Sequence, residues 1–143
     1  LELPVRDSSF DGVFALASFH HIPSNEFRQR ALREMARAAK PGGKIVMLNW
    51  NLFYNPSLKE KYTLDFVNKS MEYDLGDVFI PWKDPHTGEV IAERYMHAFT
   101  LPELEALANA EGLGVKENSF IKDGVLTSKE EGEGILSIFL KSK

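Results

Sequence analysis

Two apolar runs separated by a helical pattern dominate the first fifty residues. Residues 12–18 (GVFALAS) and 44–50 (KIVMLNW) are largely apolar without alternation, which is typical of strands covered on both faces inside a parallel sheet. Between them, apolar residues recur at helical spacing over 27–39, after a capping Ser24 and before the helix-ending segment 40–43 (KPGG). Strand, helix and strand in this order predict a right-handed crossover unit and a parallel α/β sheet.

The pattern is weaker over residues 51–84, which we interpret as an insertion over the carboxyl edge of the sheet. Helical spacing predicts a helix over 57–71, whereas 77–82 (DVFIPW) is predicted to be irregular. A turn at 85–88 then leads into an alternating, extended segment over 89–99. In that segment Tyr95, His97 and Phe99 share one face, and Arg94, Met96 and Ala98 share the other.

The remainder of the chain predicts one helix and a pair of strands. Thr100 and Glu103 have the spacing of a capping box, and the helix that they begin is predicted to end at Gly112. Strand-like runs follow at 113–120 and 135–140, and we interpret them as a terminal antiparallel hairpin. The predicted fold class is therefore α/β.

Composition narrows the class of protein. A chain of 143 residues that is 43% hydrophobic and 27% charged predicts one globular domain. It has no apolar run of membrane-spanning length, no signal segment and no cysteine, so we expect a cytoplasmic protein without disulfides, membrane association or a metal site. The net charge of −4 does not suggest a general nucleic-acid binder, although Arg28, Arg30, Arg33 and Arg37 are predicted to lie on the exposed face of the first helix.

Several short motifs resemble a known family. They are Leu3-Pro4 followed by Ser9-Phe10-Asp11, then Ser18-Phe19-His20-His21, Leu32-Arg33-Glu34-Met35 and Lys40-Pro41-Gly42-Gly43-Lys44. In this order they resemble class I S-adenosylmethionine-dependent methyltransferases, where such segments span the fourth strand, the next helix and the fifth strand. The resemblance implies a Rossmann-like sheet and S-adenosyl-L-methionine as cofactor.

The family's glycine-rich turn and the acidic residue that holds the cofactor's ribose have no counterpart in this sequence. Residues 1–143 are therefore expected to be a partial methyltransferase domain that lacks the N-terminal, cofactor-binding half. We expect this chain alone to bind the cofactor weakly or not at all, and to be inactive alone.

A narrower resemblance involves Asp77–Trp82 and Glu93–Phe99, which are similar in order and residue type to elements of tRNA wobble-uridine carboxymethyl methyltransferases. It implies methyl transfer to a carboxylate oxygen of a modified uridine, with tRNA as the partner. An acceptor that is already anionic at neutral pH needs alignment and desolvation more than a general base, so no catalytic residue is assigned.

The candidate site lies beyond the carboxyl ends of the parallel strands, where open α/β sheets bind ligands. By resemblance, the cofactor-binding candidates are Ala17, Ser18 and His21. The substrate-binding candidates are His20, Asn49, Trp50, Asn51, Arg94, Tyr95 and His97. Each also has a structural interpretation: the histidines as hydrogen-bonding elements, Asn49 and Asn51 as capping amides, Trp50 as a core-edge indole and Arg94 to His97 as an ordinary half-exposed strand.

Two other functions remain open at this stage. A methyltransferase for a small molecule would share the strand and helix motifs without requiring the Arg94–Phe99 element. A non-catalytic interaction module that keeps half of the fold belongs to a different class. We also expect a homo-oligomer that covers the sheet edge left open by the missing half.

Overall fold

The computed structural model describes residues 2–62 and 74–143, and these residues confirm the α/β architecture. A five-stranded sheet has the order β1-β2-β7-β5-β6, and β3 pairs with β4 in a second sheet. The strands are β1 (Phe10–Leu16), β2 (Ala39–Trp50), β3 (Asp77–Lys83), β4 (Val90–His97), β5 (Leu113–Lys122), β6 (Val125–Leu126) and β7 (Gly134–Lys141). The helices are α1 (Asn25–Ala38), α2 (Pro56–Tyr62) and α3 (Leu101–Ala110), with a 3₁₀ turn at Phe19–His21.

The crossover unit β1-α1-β2 forms as predicted, with β1 and β2 parallel. The prediction that β1 is covered on both faces is wrong for the described residues. The strand lies at the edge of the sheet, pairs only with β2, and leaves 65% of Phe14 and 59% of Leu16 exposed. Among residues 2–62 and 74–143, β1 has no second neighbouring strand. Apolar side chains that would be buried inside a parallel sheet therefore face solvent.

Helix α1 begins where the sequence predicts, because the Ser24 hydroxyl accepts a hydrogen bond from the Phe27 N–H at 3.3 Å. Two predicted positions are wrong. Phe27, assigned to the apolar face, is 41% exposed, and Arg28, assigned to the exposed face, is buried. Arg28 is buried because the β3–β4 sheet supplies carboxylates that lie far from it in sequence.

The predicted terminal pair of strands is confirmed, since β5 and β7 are antiparallel neighbours. β7 also pairs antiparallel with β2, from Lys44 opposite Leu140 to Trp50 opposite Gly134, and so occupies the middle of the sheet. Residues of β2 and β7, including Ile45, Met47 and Phe139, are fully buried in the main hydrophobic core.

The segment between β2 and α3 differs in part from the prediction. Residues 77–82 form the strand β3 rather than an irregular stretch, and they pair antiparallel with β4. Helix α2 covers Pro56–Tyr62, whereas the predicted continuation to residue 71 lies outside the described residues. Val78, Ile80 and Met96 form a second, smaller hydrophobic cluster with Leu52.

Helix α3 confirms the predicted capping box, in which Thr100 and Glu103 bond each other's backbone N–H groups. Gly112, at φ +67°, follows the helix as predicted. None of the helices in the described part of the chain has the length and apolar character needed to span a bilayer.

Candidate functional site

The candidate site is built where β1 and β2 end side by side. The 3₁₀ turn after β1 carries His20 and His21, and the end of β2 carries Asn49 and Trp50. The β3–β4 sheet adds Arg94, whose guanidinium lies over the ring of Trp50 from β2. The structure therefore brings together four of the seven predicted substrate-binding residues.

His20 and Asn49 form a buried polar pair. Both side chains are essentially inaccessible to solvent, and neither ring nitrogen of His20 nor either amide atom of Asn49 has a hydrogen-bond partner of good geometry among the described residues. Burial, which is the largest cause, and nearby His21 and Arg94 together lower the pKa of His20 from 6.5 to about 4, while Asn49 opposes the shift. His20 is therefore neutral at pH 7. Unpaired buried polar groups are costly, and they are found where a ligand completes their bonding.

We expect this shift to make the protein less stable in acid. The unfolded chain takes up a proton at the ordinary pKa of 6.5, whereas the folded chain resists protonation until about 4. Stability present above pH 6.5 is thus lost as pH falls toward 4, by roughly 3 kcal/mol at most. Urea unfolding at pH 7 and at about pH 4.5 measures the loss. The His20→Gln variant should show a shallower pH dependence, and an unchanged one would contradict this assignment.

Arg94 lies between two indole rings. Its guanidinium carbon is 5.4 Å from the ring centre of Trp50 and 5.0 Å from that of Trp82, and Trp50 in turn lies 5.8 Å from the His20 ring. Arg94 has no carboxylate partner within the described part of the chain, and its Nε is buried without a hydrogen bond. A guanidinium fixed by stacking and free of an internal counter-ion is suited to bind a planar anion in two-point fashion.

Asn51 is placed differently from Asn49. Its Nδ2 donates to the Lys129 and Gly132 carbonyls at 2.7 and 2.8 Å, and its Oδ1 accepts from the Tyr54 N–H. These bonds fasten the segment before β7 to the start of α2. The side chain has the structural role of a capping amide, and the structure does not bring it to the site.

Tyr95 and His97 belong to a buried network on the other face of β4. The Tyr95 hydroxyl donates to Asp77 at 2.6 Å, and the two ring nitrogens of His97 lie 2.5 Å from Asp77 and 2.7 Å from Glu103. Burial, and then the bond to Asp77, raise the pKa of Tyr95, so the hydroxyl keeps its proton. The network joins β3, β4 and α3.

Arg28 connects the same network to α1. Its guanidinium donates to the Tyr95 hydroxyl at 3.1 Å and to the Ile22 carbonyl at 3.3 Å, and it pairs with Asp74 and Asp77. The sequence gives little sign of this, since the partners lie more than forty positions away. Nearby, His21 Nδ1 lies 2.9 Å from the Tyr95 carbonyl and so fixes the 3₁₀ turn against β4.

The cofactor-binding candidates Ala17 and Ser18 form an exposed strand end. Ala17 has φ +49°, uncommon for a residue with a side chain, and its N–H donates to the Leu48 carbonyl at 2.8 Å. Ser18 borders a largely apolar groove with Val13, Ala15 and Met35. An adenosyl thioether would fit such a lining, but these residues supply one wall only, because no glycine-rich turn is among them.

Trp82 is the site residue that sequence reasoning missed. It follows Pro81 in a segment predicted to be irregular, so its contact with Arg94 across the β3–β4 pair could not be read from the local pattern. The Pro-Trp element of the narrower resemblance was the available signal.

Comparison with known proteins adds independent information. Residues 1–47 match the model of a methyltransferase domain family. A protein of Encephalitozoon cuniculi whose name describes it as a methyltransferase is 46% identical over 131 residues, which cover 92% of this chain and 57% of that protein. A mouse protein named "Probable tRNA methyltransferase 9B" is 28% identical over 95 residues, which cover 66% of this chain and 18% of that protein.

A solved structure of an S-adenosylmethionine-dependent methyltransferase from Methanosarcina mazei superposes with a TM-score of 0.72 at 24% identity, over 99% of this chain and 63% of that one. The chain thus spans less than two thirds of each of these relatives. The larger sheet, the crossover unit and the matched family segment all point to a methyltransferase fold. The chain has the fold of the class I S-adenosylmethionine-dependent methyltransferases, and its residues 1–47 match a methyltransferase domain family.

Proposed function

We propose that this chain forms the substrate-binding part of an S-adenosylmethionine-dependent methyltransferase that acts on tRNA, with the carboxylate of a carboxymethyluridine as methyl acceptor. The observation that carries the proposal is Arg94, a cation in contact with two indoles and without a carboxylate partner among residues 2–62 and 74–143. It lies near the neutral His20 and near Asn49, whose amide atoms have no hydrogen-bond partner in that part of the chain. The name of the mouse relative supports RNA as the substrate.

Methyl transfer to a carboxylate needs little proton transfer by these residues. S-adenosylmethionine, when bound, supplies an electrophilic methyl group on a positively charged sulfur. Transfer of that methyl group to a carboxylate oxygen would give a methyl ester, with the neutral thioether as leaving group. Arg94 would hold the second carboxylate oxygen, and Asn49 would offer an amide to the polar edge of the base. Neutral His20 excludes water and adds no second positive charge.

The cofactor side of the proposal involves Ala17, Ser18 and His21. They would contact the cofactor beyond the end of β1, and the rest of its site would come from polypeptide outside this chain. We therefore propose that residues 1–143 are a partial domain. Calorimetry should show tight binding of S-adenosylhomocysteine to the natural protein that contains this chain, and no low-micromolar binding to the 143-residue chain alone.

The exposed edge of β1 also supports an assembly. Phe14 and Leu16 present apolar surface beside unpaired strand groups, an arrangement that soluble proteins usually cover. We infer that another polypeptide segment, or a second copy of the protein, covers this edge. Light scattering on the natural protein would separate these two arrangements.

A methylation assay tests the function directly. The natural protein is incubated with methyl-labelled cofactor and an anticodon stem-loop RNA that carries carboxymethyluridine. We expect label in the RNA that mild alkali releases, because esters hydrolyse readily while N- and C-methyl groups do not. The same RNA with unmodified uridine should take up no label. Alkali-stable label, or methylation of a quinone precursor and not of RNA, would contradict the proposal.

A further inference from the structure

The stack around Arg94 ends in an exposed aromatic surface. The Arg94 guanidinium lies over the Trp50 indole at 5.4 Å and over the Trp82 indole at 5.0 Å. One face of Trp82 lies against the guanidinium, and 51% of the residue is exposed. The stack is therefore open at its outer end.

Strand geometry explains why Trp82 is left uncovered. Val78, Ile80 and Trp82 alternate along β3 and share one face, and the first two are buried in the small hydrophobic cluster. Trp82 extends past that cluster, and the residue opposite it on β4 is Ala92, which is too small to cover an indole. The large apolar ring thus contributes little to the core at this position.

We propose that the outer face of Trp82 is a stacking platform for a nucleobase of the RNA substrate; this rests on the proposed function. A base would stack on the exposed indole, and base–aromatic stacking accepts any base because each has a flat π-face. The cation beneath the indole favours an electron-rich ring system and a phosphodiester backbone nearby.

The geometry also indicates which nucleotide this is. Ring and cation contacts run in order from His20 to Trp50, from Trp50 to Arg94 and from Arg94 to Trp82. A base on Trp82 would thus be separated from His20 by Trp50 and Arg94. It is therefore a nucleotide that flanks the methylated one, and the acceptor nucleotide itself occupies the inner side.

A cycle of two changes tests the platform in the natural protein. The first is Trp82→Ala, and the second is an abasic nucleotide beside the carboxymethyluridine in the stem-loop RNA, on the 5′ side in one substrate and on the 3′ side in another. Trp82→Ala alone, or the abasic nucleotide on one of the two sides alone, should raise KM for RNA about tenfold with kcat nearly unchanged, as expected for loss of one base–aromatic stack. The side that gives this rise is the correct side. Combined with the abasic change on the correct side, Trp82→Ala should cause no further rise, and Trp82→Phe should retain most of the wild-type behaviour.

Phe79→Ala is the matched control, because Phe79 is a 43% exposed aromatic on the other face of the same strand, where its ring meets that of Tyr95 edge to face. It should leave KM for RNA unchanged. If the effects of Trp82→Ala and of both abasic substrates multiply, or if Trp82→Ala lowers kcat alone, Trp82 merely supports Arg94 and the platform is refuted while the proposed function stands. If the wild-type protein methylates no RNA, both proposals fail together.

Discussion

Replacing Arg28 with methionine is expected to lower the free energy of unfolding by about 3–5 kcal/mol. The guanidinium is buried on α1 and faces Asp77, whose side chain is only 4% exposed. Methionine fills much of the volume but removes the positive partner of Asp77, which then keeps only its contacts with Tyr95 and His97, and breaking a buried ion pair in this way is strongly destabilising. Urea unfolding of the variant and of the wild-type protein measures the difference.

Arg33→Met is the matched control for this prediction. Arg33 lies on the same helix and also pairs with a carboxylate, Glu111 at 3.0 Å, but its side chain is 64% exposed. An exposed ion pair of this kind contributes about 0–1 kcal/mol. Equal, small decreases in the free energy of unfolding of both variants would show that the Arg28 network does not hold α1 to the β3–β4 sheet.

Arg94→Ala is expected to reduce kcat/KM for tRNA roughly ten- to hundredfold in the natural protein. The substitution removes a charge-assisted contact to the acceptor carboxylate or to a phosphate, which is worth ~1.5–3 kcal/mol. Arg94→Lys should recover little, because an ammonium group keeps the charge but loses the planar, stacked, two-point geometry. Cofactor affinity should stay nearly constant, since the family resemblance places the cofactor at the end of β1, near Ala17 and Ser18, and not on β4.

The assay therefore pairs methyl transfer with cofactor binding on each variant. Lys116→Ala on β5 removes one exposed positive charge away from the site and should change neither quantity. A parallel fall in methyl transfer and cofactor affinity for Arg94→Ala would mean that Arg94 supports the fold. No change in either would make β4 ordinary surface and favour a small-molecule acceptor.

Local signals explain which parts of the fold could be predicted. Ser24 and the Thr100–Glu103 capping box mark helix starts through bonds to residues three positions away, so one sequence suffices to locate them. Strand β3 was missed because Pro81 is unfavourable inside a sheet; it is tolerated here because β3 pairs only with β4 in the described part of the chain. Burial of Arg28 depends on Asp77, and no local pattern reports so distant a partner.

The same distinction applies to the site residues, because some follow from the order of the elements and others depend on distant partners. The rule that ligands bind at the carboxyl ends of strands located His20, Asn49 and Trp50, because it needs only the order of elements. It could not separate Asn49 from Asn51, whose amide is used by carbonyls about eighty residues later. The role of Trp82 likewise depends on cross-strand register, which sequence alone does not fix.

The place of β7 has a consequence for the order in which the protein is made. β7 is the last of the described strands to leave the ribosome, yet it lies between β2 and β5 and pairs with both. Until residues 134–141 emerge, the nascent chain holds two separate groups of strands, each with an unpaired inner edge and an apolar face available to chaperones. A premature stop codon shortly before β7 would therefore remove the middle of the sheet, and we expect the product to be a substrate for proteolysis.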